Sequence, residues 1–388
     1  VVYTPPTRKA TISGRDVLQE LDRRLVGDLS FDGGKILGSM CSSPHPVASL
    51  AFSRALECNI GDEGLVPGLA ELERESCTLL GSWWGNSEVA GRIVTGGTEA
   101  NILALWTAKL RADSEKVEVL LPSTAHYSFD KAASLMGLSL VRIPADASGR
   151  VRLDLLEAAV GPHTLAVIGI AGTTDWGAVD DVEALAAIAL RHGLYFHLDA
   201  SFGGFVLPFL SQAGYPGGAS WPEGLSSLTA DPHKMGRGPI PSGMILWKDS
   251  ILARTTATDV HYLSGGRLKQ NTVVGTRSGA AVAAVWAVMN HLGTEGYTDI
   301  VREAMELTSF LILALAEIPG VDCVLPRPAM NVVGVRAKHM PTPLLVTKLR
   351  EKGWALSSWE HSFRIVLMPH VSRASLQLFL TDLQEATG

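Results

Sequence analysis

Between residues 90 and 247 the chain keeps switching between two hydrophobic periods, and this alternation narrows the possible folds more than any other feature. "GRIVTGG" runs into the helical "TEANILALWTAKLRA", "VEVLLP" into "SFDKAASLMGL", "LSLVRIP" into "RLDLLEAAVG" and "LAVIGIAG" into "DDVEALAAIALRHG". "YFHLDA" and "GMILWK" supply further strands. Apolar strands alternating with helices predict an α/β unit around a mostly parallel sheet with helices on both faces. Ligands of such sheets bind beyond the carboxyl ends of the strands. The 39 glycines cluster in "TGGTEAN", "IAGTTDWG", "DASFGG", "KMGRGPIPSG" and "LSGGRL", mostly where those strands end. Glycine at such a place marks a tight turn or a close approach of backbone to a ligand.

From about residue 291 the pattern changes. The long amphipathic "YTDIVREAMELTSFLILALAEI" precedes strands in "VDCVLP", "NVVGVRA" and "FRIVLMP" and helices near 341–352 and 372–386, as in a smaller α+β unit. The expected organisation is a loop-rich arm over 1–50, a large α/β domain over 51–290 and a small C-terminal domain over 291–388.

Composition excludes several classes. A formal net charge of −6 offers no basic surface for nucleic acid or an anionic membrane. Cys41, Cys58, Cys77 and Cys323 are scattered, with neither CxxC nor metal-like spacing. "VVYTPPTRKATISGRD" lacks the apolar core of a signal peptide, and "LTSFLILALAEIPG" is too short to span a bilayer. A cytoplasmic location is the expectation.

Four stretches carry candidate chemistry, and each has an ordinary alternative. In "TGGTEAN", Gly97 and Thr98 end a strand and open a helix, whose free N–H groups and dipole suit an anion; a plain helix cap reads the same way. In "HLDASFGG", Asp199 ends an apolar strand, where a carboxylate needs a cationic partner unless solvated. In "STAHYSFDKA", His126 heads a helix, ready to stack on a flat ligand, move a proton or cap the helix. In "TADPHKMGRGPIPSG", Lys234 sits in a turn beside His233 rather than on a solvated helix face. A lysine at such an edge, with a shielded stem, acts as an amine nucleophile; the alternative is a snorkelling surface lysine. Together these groups hold a phosphate, pair a buried carboxylate with a cationic nitrogen, cover a ring and offer an amine. Pyridoxal phosphate makes those demands.

These motifs, with "GSMCSSPHP", "GDEGL", "GIAGTTDWGAVDD", "VVGTRSG" and "RIVLMPH", run in order over nearly the whole chain. The sequence resembles the group II pyridoxal-phosphate decarboxylases of the aspartate-aminotransferase fold (fold type I), and most of all the archaeal L-tyrosine/L-aspartate decarboxylases. The resemblance implies that Lys234 forms a Schiff base with the cofactor, Asp199 faces its pyridinium nitrogen and His126 stacks on the ring. It places Gly97, Thr98 and His233 at the phosphate and Thr174 and Ser201 along the ring, Ser201 replacing the alanine of many relatives. Thr276 in "GTRSG" would reach the phosphate of a neighbouring subunit, which implies a homodimer. Arg364 matches an arginine that meets the substrate carboxylate in related glutamate decarboxylases.

The expected reaction is α-decarboxylation of an L-amino acid, with L-tyrosine to tyramine, for methanofuran synthesis, ranked ahead of L-aspartate to β-alanine, for coenzyme A. Tyr262, in the poorly matching segment "TTATDVHYLSGGRLKQN", is the proposed proton donor to Cα, with His126 its competitor and an exposed loop aromatic the alternative. Three rivals are weighed. A carbon–carbon lyase like the sphingosine-phosphate lyases would want an added basic patch. A cysteine desulfurase needs a catalytic-loop cysteine, and none lies near the carboxyl end. A non-catalytic binding protein has no need to keep Lys234, Asp199 and His126 together.

Overall fold

The structure, a computed structural model, describes residues 12–388; residues 1–11, which open the expected arm and the stretch read for a signal peptide, lie outside the described residues. Seven strands form the main sheet: β1 (Ala90–Val94), β2 (Glu118–Pro122), β3 (Ser139–Ile143), β4 (Thr164–Ile170), β5 (Tyr195–Asp199), β6 (Leu225–Ala230) and β7 (Gly243–Trp247). Their order is β1-β7-β6-β5-β4-β2-β3. All neighbours pair in parallel except β7, which runs antiparallel to both β1 and β6. The connection from β6 to β7 explains the exception: residues 231–242 contain no helix, so the chain turns back instead of crossing over. The fold is that of the fold type I pyridoxal-phosphate enzymes, as the sequence led us to expect.

Along the chain the helices are α1 (Gly14–Leu25), α2 (Pro46–Arg54), α3 (Pro67–Trp83), α4 (Gly97–Arg111), α5 (Ser128–Met136), α6 (Leu153–Ala158), α7 (Val182–His192), α8 (Leu207–Leu210), α9 (Ser250–Ala253) and α10 (Gly279–Ala316). Successive side chains of β7 enter different cores. Met244 and Leu246 join one apolar cluster, and Ile245 and Trp247 join the other. All seven residues of β4 are buried. A strand covered on both faces has no polar side to advertise, which is why these segments read as continuous apolar runs.

A hairpin of β8 (Thr258–Val260) and β9 (Leu268–Gln270) precedes α10. Beyond α10 lies a four-stranded antiparallel sheet, ordered β10 (Val321–Cys323), β11 (Val332–Ala337), β13 (Phe363–Val366) and β12 (Ser357–Ser358), with α11 (Thr342–Glu351) and α12 (Arg373–Thr387). The helical run of α10 crosses residue 290 and breaks at Gly293, whose φ of 54° and ψ of −163° leave the helical region. In the N-terminal segment, Leu37 and Gly38 donate to Ala355 O and Ala355 donates to Lys35 O, so residues 35–38 attach to the C-terminal sheet. No helix among the described residues is long and apolar enough to cross a membrane.

Candidate active site

A cavity of about 260 Å³ opens at the carboxyl edge of the main sheet. Its walls come from the ends of five strands: Gly96–Glu99 after β1, Thr124 and His126 after β2, Gly172 and Thr174 after β4, Asp199 and Ser201 at β5, and Asp231, His233 and Lys234 after β6. This is the edge at which parallel sheets accept ligands.

The lysine turn follows from its sequence. Lys234 N–H donates to Asp231 O at 3.0 Å and Gly238 N–H to Pro232 O at 2.8 Å. A Cβ on Gly236 would lie 2.7 Å from Pro232 Cα, so the turn admits no side chain there. Lys234 Nζ stands 3.1 Å from Asp231 Oδ2, and its side chain keeps 19% of its exposure. His233 Nδ1 lies 2.5 Å from Ser242 O and 3.2 Å from Ser242 N, and its Nε2 faces Asp231 Oδ2 at 3.7 Å.

Helix α4 starts at Gly97, one residue before Thr98, and its N-cap is Gly96 (φ 138°) with no side-chain cap. Glu99 reaches back instead, accepting from Thr95 N–H at 2.8 Å and Thr95 Oγ at 2.7 Å. Of the two residues behind the plain-cap reading, Thr98 makes no cap, whereas Glu99 ties down the chain just before the helix. A Cβ on Gly97 would meet Ser201 Oγ at 2.4 Å and Asp231 Oδ2 at 2.9 Å, so the uncapped helix end is kept open by glycine.

Asp199 is buried and held on both oxygens. Ser201 donates to Oδ1 through its N–H at 3.0 Å and its hydroxyl at 2.6 Å, while Asn101 Nδ2 donates to Oδ2 at 2.9 Å. Burial works against its charge, but the Ser201 hydrogen bonds and the Lys234 cation outweigh burial and hold the carboxyl below its ordinary value. His126 Nδ1 accepts from Ser128 N–H at 3.2 Å, so it tethers the start of α5 while its ring lines the cavity. Burial holds His126 below the usual imidazole range.

Arg364, on β13, is buried beside the cavity wall. Its Nε donates to Gly38 O at 3.0 Å and its Nη1 to Thr174 O, while Nη2 makes no hydrogen bond to the described residues. Asp175 faces it, raised above the usual carboxylate range by burial. Tyr262 and Thr276 are not brought into the cavity of their own chain. Tyr262 is 87% exposed on the β8–β9 hairpin, and Thr276 is exposed just before α10.

Sequence reading passed over three residues of this constellation. Asp231 lay inside the quoted lysine motif, and its spacing three before Lys234 in a turn was the available signal. Asn101 closes "TGGTEAN", but its partner Asp199 is 98 residues away and nothing local announces the contact. Thr124 carried no signal.

The sequence model described as "Pyridoxal-dependent decarboxylase conserved domain" matches residues 39–333. The chain belongs to this family. It is 42% identical over 375 residues to the L-aspartate decarboxylase of Thermococcus kodakarensis, covering 96% of this chain and 97% of that one. It is 41% identical over 364 residues to a probable L-tyrosine/L-aspartate decarboxylase of Methanothermobacter thermautotrophicus, covering 92% and 98%. Among solved structures, a Burkholderia pseudomallei sphingosine-1-phosphate lyase matches with a TM-score of 0.90 at 25% identity, covering 100% of this chain and 92% of that one. A Lactobacillus brevis glutamate decarboxylase matches at 0.87 and 20% identity, covering 100% and 95%. This member of the family is thus a pyridoxal-phosphate-dependent amino-acid decarboxylase.

The cavity fits that cofactor. Thr124 Oγ and Asp231 Oδ1 are buried in its lining with no hydrogen-bond partner, two polar atoms that a polar ligand would satisfy. The uncapped α4 terminus suits a phosphate, and Lys234 and Asp199 stand on the same cavity wall as amine and carboxylate.

Proposed function

We propose that this decarboxylase removes the α-carboxyl group of L-aspartate, with Lys234 as the residue that tethers the cofactor. The observation that carries the site assignment is the convergence of Lys234, Asp199, His126 and the open α4 terminus on one cavity. Pyridoxal phosphate, when bound, supplies a conjugated ring that accepts the electron pair left as carbon dioxide departs. Lys234 offers the amine, and Asp231 gives that nitrogen a counter-ion when it is free. Asp199 would keep a proton on the ring nitrogen; His126 would cover the ring, Thr174 and Ser201 would flank it, and Gly97, Thr98 and His233 would receive the phosphate.

Arg364 supports an acidic substrate. A salt bridge to the departing carboxylate would stabilise the ground state and gain nothing in the chemical step. A side-chain carboxylate, which stays in place, makes better use of the free Nη2. Aspartate is also common to the names of the archaeal relatives, whether L-aspartate or L-tyrosine/L-aspartate decarboxylase. L-Tyrosine, ranked first from the sequence, is the second reading, favoured by the relatives named for both.

The active unit is a homodimer. Thr276 and Tyr262, both exposed and both on the stretch 258–277, complete the site of the neighbouring subunit, the first at the phosphate and the second as proton donor to Cα. Carbon dioxide release from aspartate, tyrosine and glutamate, measured side by side on the holoenzyme, tests the substrate ranking. Aspartate gives the highest kcat/KM; a clear lead for tyrosine or glutamate overturns it.

A further inference from the structure

Behind Asp199 lies a row of buried polar side chains that the reaction itself does not call on. Asn101, His197 and Ser227 are each no more than 1% exposed. His197 Nε2 lies 3.0 Å from Asn101 Oδ1, His197 Nδ1 lies 2.8 Å from Ser227 Oγ, and Tyr195 donates its hydroxyl to Ser227 Oγ at 2.8 Å. Asn101 Nδ2 donates to Asp199 Oδ2 and to Ser128 Oγ, both at 2.9 Å. Thr229 Oγ also approaches His197 Nε2, at 3.3 Å.

With His197 neutral, one arrangement of hydrogens satisfies the row. A flipped Asn101 would set its carbonyl oxygen against a carboxylate oxygen, acceptor on acceptor, so its amide nitrogen must face Asp199. Its Oδ1 then needs a donor, which makes His197 the Nε2–H tautomer. The bare Nδ1 accepts from Ser227, whose oxygen accepts from Tyr195. Every donor points along one line towards Asp199. A carboxylate has about four acceptor positions. Ser201 fills two and Asn101 a third, leaving one for the ring nitrogen.

We propose that Asn101 and His197 are positioning residues that keep Asp199 an ionised, weakly basic carboxylate with one oxygen position aimed at the ring, so that the shared proton stays on the ring nitrogen. Asn101 acts by donating to the carboxylate. His197 acts by fixing which way the Asn101 amide points. Without the Asn101 donor Asp199 becomes more basic and draws the proton to itself, leaving the ring neutral. This rests on the assignment of Lys234 and Asp199 made above.

The test is a spectral pH titration of the holoenzyme, following the visible absorbance of the link between Lys234 and the cofactor. A positively charged ring makes that link easier to deprotonate, so a neutral ring moves the midpoint upward. Asn101→Leu and His197→Leu raise the midpoint by about one pH unit, a tenfold change in proton affinity. His197→Gln, whose amide can donate to Asn101 Oδ1, leaves it near the wild-type value and restores kcat without a change in KM. Nitrogen-15 NMR of the unmodified holoenzyme, with labelled histidine, supplies a reading that needs no variant: His197 is the neutral Nε2–H tautomer. An Nδ1–H or doubly protonated His197 at neutral pH overturns the proposal, as do midpoints that coincide in all four proteins. Borohydride labelling of each protein separates the two failures. With Lys234 labelled throughout, coincident midpoints refute only the role of Asn101 and His197; an unlabelled Lys234 in the wild type refutes the site assignment itself.

Discussion

Replacing Arg277 by methionine strands a fully buried carboxylate. Glu73, on α3, is 0% exposed and Arg277 only 7%. The guanidinium pairs with both Glu73 oxygens through Nη1 and Nη2, and Nη1 also donates to Ile93 O at 3.1 Å. Removing one partner of such a pair costs about 3–5 kcal/mol, because the remaining charge has lost its compensation. The lower end applies here. Ile93 N–H still donates to Glu73 Oε1 at 2.8 Å, and Arg92 Nη1 stays 3.5 Å from Oε2. Urea unfolding at fixed protein concentration should show Arg277→Met destabilised by about 3 kcal/mol, and Glu73→Leu/Arg277→Met by less than either single change. The pair also ties the segment before α10 to α3 and β1, so under the proposed role of Thr276 at a neighbouring subunit's phosphate, cofactor affinity falls with it. A loss below about 1 kcal/mol for Arg277→Met, or a double variant whose loss equals the sum of the singles, refutes the account of the cluster.

Other outcomes follow from the same geometry. Gly97→Val puts side-chain atoms where a Cβ would already lie 2.4 Å from Ser201 Oγ, so cofactor affinity measured by fluorescence titration drops at least tenfold while unfolding midpoints move little; unchanged affinity contradicts the phosphate cradle. Tyr262→Phe lowers turnover and increases aldehyde by-product; normal turnover without by-product removes Tyr262 as proton donor. Burial pulls His197 down to about 4 from 6.5, so the folded protein binds fewer protons than the unfolded chain between those values. Stability supplied by neutral His197 is complete above pH 6.5 and falls as pH drops towards 4. His197→Gln should flatten that part of the stability–pH curve; an unchanged slope refutes the linkage.

The architecture was legible because strands buried on both faces cannot hide their period: "LAVIGIAG" has no polar side, and β4 has no exposed one. The lysine turn was legible because Lys234 broke the habit of surface lysines, and Gly236 shows why the neighbouring composition had to be small. What stayed hidden were contacts between residues far apart in the chain. Glu73 looks like an ordinary helix-surface glutamate until Arg277, 204 residues on, is brought against it. Asn101 looks like the end of a glycine motif until β5 delivers Asp199. Thr276 came from the resemblance alone and Tyr262 from its glycine-rich loop; both are exposed, neither makes a side-chain hydrogen bond to the described residues, and their roles are proposals.

The assignment of Lys234 is the claim on which the others rest, and one chemical experiment addresses it directly. The holoenzyme is reduced with borohydride, digested and mapped by mass spectrometry. The account predicts a single reduced pyridoxyl adduct, on the peptide containing Lys234. An adduct on another lysine, or no adduct from a protein that has bound the cofactor, contradicts it.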